Sequence, residues 1–184
     1  MAQIKINYTY EILLFLLKKD RHGRELAKEL KTSLTRVQAI LTELRNINVL
    51  DYRIEGKNHI YFIKKNLVSK SFILNAENYK LAKILSKHPE LEPLFQDIIK
   101  KSQCHLILLF GSYAKNTERK ESDIDIYIET TNPKIKEEAQ KIYDLISVKI
   151  GKFNVNDLLI KEIMKNHAII KGGENYYEKI KFFE

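Results

Sequence analysis

The stretch "LFGSYAKNTERKESDIDIYIE", Leu109–Glu129, decides how the rest of the chain is read. It closes an apolar run, turns at Gly111–Ser112, crosses a polar loop, and ends on aspartates alternating with isoleucines. The run ahead of the turn, "CHLILLF", is short and rich in Leu and Ile, which suits a strand covered on both faces. "YAKN" begins a short helix, so Ser112 sits at a helix N-terminus, a natural place for phosphate. "DIDIYIE" has the period of a strand, with Asp123 and Asp125 on one face and Ile124 and Ile126 on the other. Carboxylates in an apolar strand are costly to desolvate unless a cation compensates them. Two on one face of a rigid strand can chelate Mg²⁺, or hold a metal pair around an in-line phosphoryl displacement.

An isolated Asp-x-Asp is common. The combination here is far more specific: a buried strand, Gly-Ser, the ten residues 113–122, then Asp-Ile-Asp-Ile in a second strand. Phe110, Gly111, Ser112, Asp123, Ile124, Asp125 and Ile126 resemble the signature of the nucleotidyltransferase superfamily related to DNA polymerase β, and most closely that of the minimal nucleotidyltransferases. The resemblance implies that Gly111 and Ser112, helped by Lys115, cradle the phosphates of a nucleoside triphosphate, with ATP the first candidate. It implies that Asp123 and Asp125 are catalytic and hold Mg²⁺ or Mn²⁺, and that Ser122 braces the start of the second strand. Lys115 and Arg119 either help neutralise the triphosphate or are solvated loop charges. The family carries a glycine where this chain has Asn116; Asn tolerates a left-handed backbone, so the turn is expected to survive.

The family also places a third carboxylate on a later strand. Here "NPKIKEEAQKIYDLISVKIG" predicts a helix from Pro133 to about Lys149, with Ile135, Ala139, Ile142, Ile146 and Ile150 as its apolar stripe. "KFNVNDLLI" is then the next strand, with Asn154 and Asn156 on one face and Val155 and Asp157 on the other. An asparagine at the third position would coordinate without bringing charge, and turnover would slow. Asp157 either substitutes for it or caps the helix beginning at Leu158. In the tail, Gly172–Gly173 is a turn, Tyr176 and Tyr177 are packing residues, and His167 caps a helix end.

Toward the other end, "YEILLFLLKK", Tyr10–Lys19, predicts a helix with Thr9 as its cap. "DRHG" breaks it, "RELAKEL" from Arg24 to Leu30 is a second helix, and Ser33 caps a third. Leu34, Val37, Leu41 and Leu44 recur at steps of three and four, so that face is core. The opposite face carries Thr35, Arg36, Gln38, Ala39 and Thr42, side chains suited to reading base edges in a major groove. Leu50, Tyr52 and Ile54, then Ile60 and Phe62, alternate about "EGKN" as a β-hairpin with a basic tip at Lys57. Three helices and a hairpin resemble a winged helix-turn-helix, which implies DNA binding through Thr35, Arg36, Gln38, Thr42 and Lys57. His59 beside the tip reads as an exposed strand residue.

The expected fold class is α+β. Residues 1–66 form the winged domain. Residues 67–103 form a helical connector, interrupted near Asn75 and packed on the C-terminal domain, with Pro89 in the first turn of its second helix and His88 an inert loop residue. Residues 104–184 form that C-terminal α/β domain, with a small mixed sheet. The chain has 184 residues and net charge +8. Residues 1–66 hold 13 basic and 7 acidic side chains (net +6), and residues 67–184 hold 19 and 17 (net +2), so the basic excess marks the first third.

The single cysteine, Cys104, excludes an internal disulfide and a cysteine zinc site, and its neighbours predict buried packing. No segment reads as a signal peptide or membrane span, which sets a cytoplasmic expectation. There is no Gly-x-Ser-x-Gly elbow, P-loop or His-Glu-x-x-His. Two functions of different class remain. One is transfer of a nucleoside monophosphate to a hydroxyl acceptor, for which the resemblance supplies a helical HEPN-type toxin as partner. The other is a DNA-binding regulator, commonly a homodimer, whose transferase-like domain only binds nucleotide.

Overall fold

The computed structural model describes residues 4–143 and 145–184. It separates into two compact units, Lys5–Tyr79 with Phe183–Glu184, and Lys80–Phe182.

In the first unit, α1 spans Tyr8–Leu16. Its cap is Asn7 rather than Thr9: Asn7 is extended and its side chain accepts the Tyr10 N–H at 3.2 Å, which leaves Thr9 inside the first turn. Strand β1 is only Arg21–His22, too short to leave a periodic signal within "DRHG". The His22 ring caps α2, Gly23–Glu29, by accepting the Glu25 N–H at 3.1 Å. Helix α3 spans Leu34–Asn46, and Ser33 Oγ accepts the Arg36 N–H at 3.2 Å, as expected of a cap. Its Val37, Leu41 and Leu44 are buried with Ile12, Leu13, Leu26 and Leu50 in one core. Strands β2, Leu50–Glu55, and β3, Asn58–Ile63, pair antiparallel from Leu50↔Ile63 to Glu55↔Asn58. Gly56 turns between them at φ +61°, a conformation open to glycine. β1 joins the far side of β3, giving the order β1-β3-β2. A short strand between the first two helices and a hairpin after the third is the winged helix-turn-helix arrangement.

Helix α4, Leu67–Lys87, runs without a break through Asn75, and the division between the units falls within it. Helix α5 is Leu91–Ser102, and its Leu91, Leu94, Phe95 and Ile98 enter the core of the second unit.

The second unit continues with β4, Ile107–Phe110, and the short helix α6, Gly111–Lys115. Then come β5, Ile124–Glu129, and α7, Pro133–Gln140. β6 is Ile146–Gly151, α8 Leu158–Lys165, β7 Ala168–Lys171 and α9 Gly173–Lys179. The sheet order is β6-β5-β4-β7; β5 and β6 run parallel and the other pairs antiparallel, so the sheet is mixed. Ile124, Ile126, Ile128, Ile146 and Val148 join residues of α5 and α7 in a single core. Cys104 is buried against it. Gly172 caps α9 at φ +86°, and a Cβ there would overlap the His105 carbonyl, so the Gly-Gly turn admits no other residue at its first position.

Two further sequence expectations fail in the second unit. The helix from Pro133 stops at Gln140, and Ile146 and Ile150 belong to β6 instead. Their spacing of four satisfies a helical stripe, but "ISVKI" also alternates, and it is rich in β-branched residues that suit a pleated surface beside β5. Nor is "KFNVNDLLI" a strand. Asn154 Oδ1 accepts the Asn156 N–H at 3.0 Å in a tight local turn. Asp157 Oδ1 accepts the Leu159 and Ile160 N–H groups at 2.7 and 3.4 Å, capping α8. Asn154 and Asn156 are exposed and off the sheet.

Candidate functional site

Antiparallel pairing sets Phe110 opposite Asp125, at the end of β4 where the chain turns into α6. Gly111 makes that turn at φ +70°. A Cβ built there would overlap Asp125 Oδ2 and lie 2.9 Å from its Cγ. Glycine is therefore required twice, once by the backbone angle and once by the carboxylate pressed against it. The two ends of the motif are thereby one place. Ser112 is in the first turn of α6, half-buried.

The loop beyond α6 is held at several points. Asn116 does adopt the left-handed conformation, φ 57°, and ends the helix. Its side-chain oxygen accepts a hydrogen bond from Lys87 Nζ at 2.7 Å. Glu118 pairs with Lys87 and also with His88 Nε2 at 3.0 Å. His88 meets Glu90 at 3.3 Å and sits edge-on to Tyr113. His88 thus ties Tyr113 of α6 to Glu118 of the following loop and is not an inert loop residue. At the other end of the loop, Ser122 Oγ accepts the Arg119 N–H at 2.8 Å, immediately before Asp123.

Asp123 is exposed and Asp125 half-buried, so only the second carries the desolvation cost expected of the pair. Burial pushes the Asp125 carboxyl above the ordinary carboxylate range; the neighbouring Ser147 hydroxyl opposes this, the Asp123 charge adds to it, and Lys149 and Lys115 oppose it. Ser147 and Lys149 come from β6, where the register sets Ser147 beside Asp125 and Lys149 beside Tyr127 on the same face. Sequence reading alone misses both, because it places them in a helix; the alternation in "ISVKI" is the available signal. β6 contains no Asp or Glu. Lys115 is exposed and paired with Glu162 on α8 at 3.4 Å. Lys120 and Arg119 are loop charges.

Among the described residues no three His, Cys, Asp or Glu side chains cluster as a metal site. A divalent cation still fits. Magnesium is commonly held by one or two carboxylates together with phosphate oxygens. The pair at Asp123 and Asp125, one member strained by burial and by its neighbour's charge, is a donor set that such an ion would relieve.

In the first unit, Thr35, Arg36, Gln38, Ala39 and Thr42 lie on α3 opposite its buried stripe. Arg36 lies over the Tyr8 ring at 5.1 Å. Lys57 is exposed at the tip of the hairpin. On the hairpin face, Tyr52 stacks on His59 at 4.0 Å, and Arg45 lies over Tyr52 at 4.3 Å.

Residues 92–181 match the family model described as polymerase beta, nucleotidyltransferase. A protein of Methanocaldococcus jannaschii named "Putative protein adenylyltransferase" is 34% identical over 95 residues, covering 50% of this chain and 85% of that protein. Among solved structures, the adhesin competence repressor AdcR of Streptococcus pyogenes matches with a TM-score of 0.37 at 16% identity, over 54% of this chain and 69% of that one. A variant of ZitR from Lactococcus lactis matches with 0.38 at 18%, over 56% and 74%. At such scores neither likeness carries weight, and the winged arrangement rests on the chain's own elements. No helix among the described residues is long and apolar enough to cross a membrane.

The raised carboxyl of Asp125 has a consequence for stability. Its folded pKa lies above its unfolded one, so the native state favours the protonated form. Stability from this group is full below the ordinary carboxylate range and is lost as pH rises through the raised value. Asp125→Asn should therefore raise the melting temperature of the metal-free protein at neutral pH. The difference from wild type should shrink as the pH is taken down through the carboxylate range, which a series of thermal melts would read.

Proposed function

The chain belongs to the polymerase beta nucleotidyltransferase family, and on that footing we propose that its second unit transfers a nucleoside monophosphate from a Mg²⁺- or Mn²⁺-bound triphosphate, ATP first, to a hydroxyl group. The observation that carries this is the packing of Gly111 on Asp125, which makes a single site of the Gly-Ser turn and the carboxylate pair. In this reading Asp123 and Asp125 hold the cation. Gly111 and Ser112 receive the β- and γ-phosphates, where the first N–H groups of a helix have no intrahelical partner, and Lys115 adds positive charge. When bound, the cation offsets the triphosphate charge and polarises the reacting phosphoryl group. The acceptor oxygen forms a bond to the α-phosphorus as the bond from that phosphorus to the bridging oxygen of the β-phosphate breaks. Pyrophosphate leaves with the bonding pair, and the hydroxyl proton passes to a solvent base.

The acceptor proposed is a protein hydroxyl, supported by the name of the Methanocaldococcus relative. A HEPN-type toxin is the partner that the likeness to minimal nucleotidyltransferases suggests, in the cytoplasm. The first unit is proposed to bind DNA as a homodimer, with Thr35, Arg36, Gln38 and Thr42 toward base edges and Lys57 toward the backbone. This is supported by the placement of the first four opposite the core stripe of α3, by the exposure of Lys57, and by the basic excess of residues 1–66. A second reading, a regulator that binds nucleotide without turnover, is favoured by one observation: β6 offers Ser147 beside Asp125 and Lys149 one step along the same face, where a carboxylate would serve catalysis.

Incubation with extract, Mg²⁺ and α-³²P-labelled ATP should label an acceptor protein, and Asp123→Asn with Asp125→Asn should abolish the label. Nucleotide binding without any labelled acceptor would select the second reading. For the first unit, Arg36→Ala with Gln38→Ala should weaken a gel shift on DNA upstream of the coding region by about tenfold or more, at one to three kcal/mol for each lost base contact, roughly. An unchanged shift would remove α3 from the interface.

A further inference from the structure

Four side chains gather at the β5–β6 edge: the carboxylates of Asp123 and Asp125, the hydroxyl of Ser147 and the ammonium of Lys149. Ser147 stands beside Asp125 in the parallel register, its hydroxyl favouring the ionised carboxylate. Lys149 stands one step along the same face and acts on Asp125 through its charge. Lys149 is exposed and forms no ion pair among the described residues, whereas Lys115 is tied to Glu162. Beyond its effect on Asp125, the Lys149 ammonium on this face of β6 is tied to no carboxylate among the described residues.

A pair of divalent cations about 3.5–4 Å apart needs anionic ligands on both sides. The described part of this site supplies two carboxylates, both from the β5 side. The neighbouring strand answers with a neutral hydroxyl and a fixed cation, which attracts phosphate and repels a second metal ion. Lysine is suited to that part, being a compact point charge on a flexible stem that can reach a phosphate oxygen.

Resting on the nucleotide-binding reading above, we infer that this chain takes its nucleotide with one divalent cation, the Lys149 ammonium supplying the second positive charge directly to the phosphates. Lys149 is thereby a nucleotide-binding residue contributed by β6, and it makes nucleotide affinity depend on one metal ion rather than two.

The test counts ions as well as affinity. Full-length protein is titrated with Mn²⁺ at saturating α,β-methylene-ATP, and bound Mn²⁺ per protein–nucleotide complex is read by electron paramagnetic resonance. Wild type should hold one ion. Lys149→Met should still hold one but bind the analogue about tenfold more weakly, the scale of one charge-assisted contact, while Lys149→Arg should retain most of the affinity. Lys149→Glu should hold two. Because Lys149 is exposed on the strand, these variants leave the core untouched. Two ions in wild type would overturn the inference while leaving nucleotide binding standing. If that count fell to one in Asp144→Asn, the second ion would be assigned to Asp144, which lies outside the described residues. Unchanged affinity in Lys149→Met would overturn the part given to the lysine. An absence of analogue binding by wild type at any Mn²⁺ level would instead refute the nucleotide reading itself.

Discussion

The backbone of Gly111 rests against the carboxylate of Asp125, and the second unit is organised about that contact. It requires β4 and β5 to be antiparallel neighbours in the observed register, so that the end of one strand meets the start of the other. It requires a residue without a Cβ, in a conformation that glycine adopts at little cost. It also fixes where α6 begins, and hence where Ser112 and the first N–H groups of that helix lie relative to the aspartates. A polar loop, residues 116–122, separates α6 from Asp123, yet little of it is left to wander. Lys87, His88 and Glu118 hold one end, and the Ser122–Arg119 pair holds the other.

The same contact crowds an unfavourable carboxylate. Asp125 is half-buried, crowded by glycine backbone, and near a second aspartate; burial and the neighbouring charge each raise the free energy of its ionised form. A scaffold would be more stable with an asparagine at this position. Ser147 and Lys149 lessen the cost without removing it. A cation held there as proposed would recover that stability, as linkage requires of a ligand that favours the folded form.

Much of this is legible in the residues. Gly-Ser, the spacer and Asp-Ile-Asp-Ile point to β4, α6 and β5, because each carries its own local signal: an apolar run, a glycine at a reversal, and strict alternation. The stripe Val37–Leu41–Leu44 and the Ser33 cap likewise give the start of α3 to the residue. The helix and strand failures after Pro133 share one origin. Ile142, Ile146 and Ile150 recur at four-residue steps, and a strand with apolar alternate positions contains the same spacing. Only the presence of β5, a parallel partner with free backbone groups, decides for the strand, and that is tertiary information. The error carries forward, since placing the helix too far moves the next strand onto Asn154 and Asn156 and hides Ser147 and Lys149. His88 escapes notice for a related reason: its partner Glu118 lies thirty residues away, and no local pattern connects them.

Gly111 is needed because of what it touches and not merely because of its backbone angle. Gly56 supplies the comparison, since it also has positive φ, +61°, but a Cβ there meets nothing within 4 Å. The most direct measurement is calorimetric titration of Mg²⁺–ATP into Gly111→Ala and Gly56→Ala, both confirmed folded by circular dichroism. Loss of binding in the first with retention in the second is the result this account predicts. Equal, wild-type-like binding in both would contradict it, and would place the nucleotide away from the Gly111–Asp125 contact.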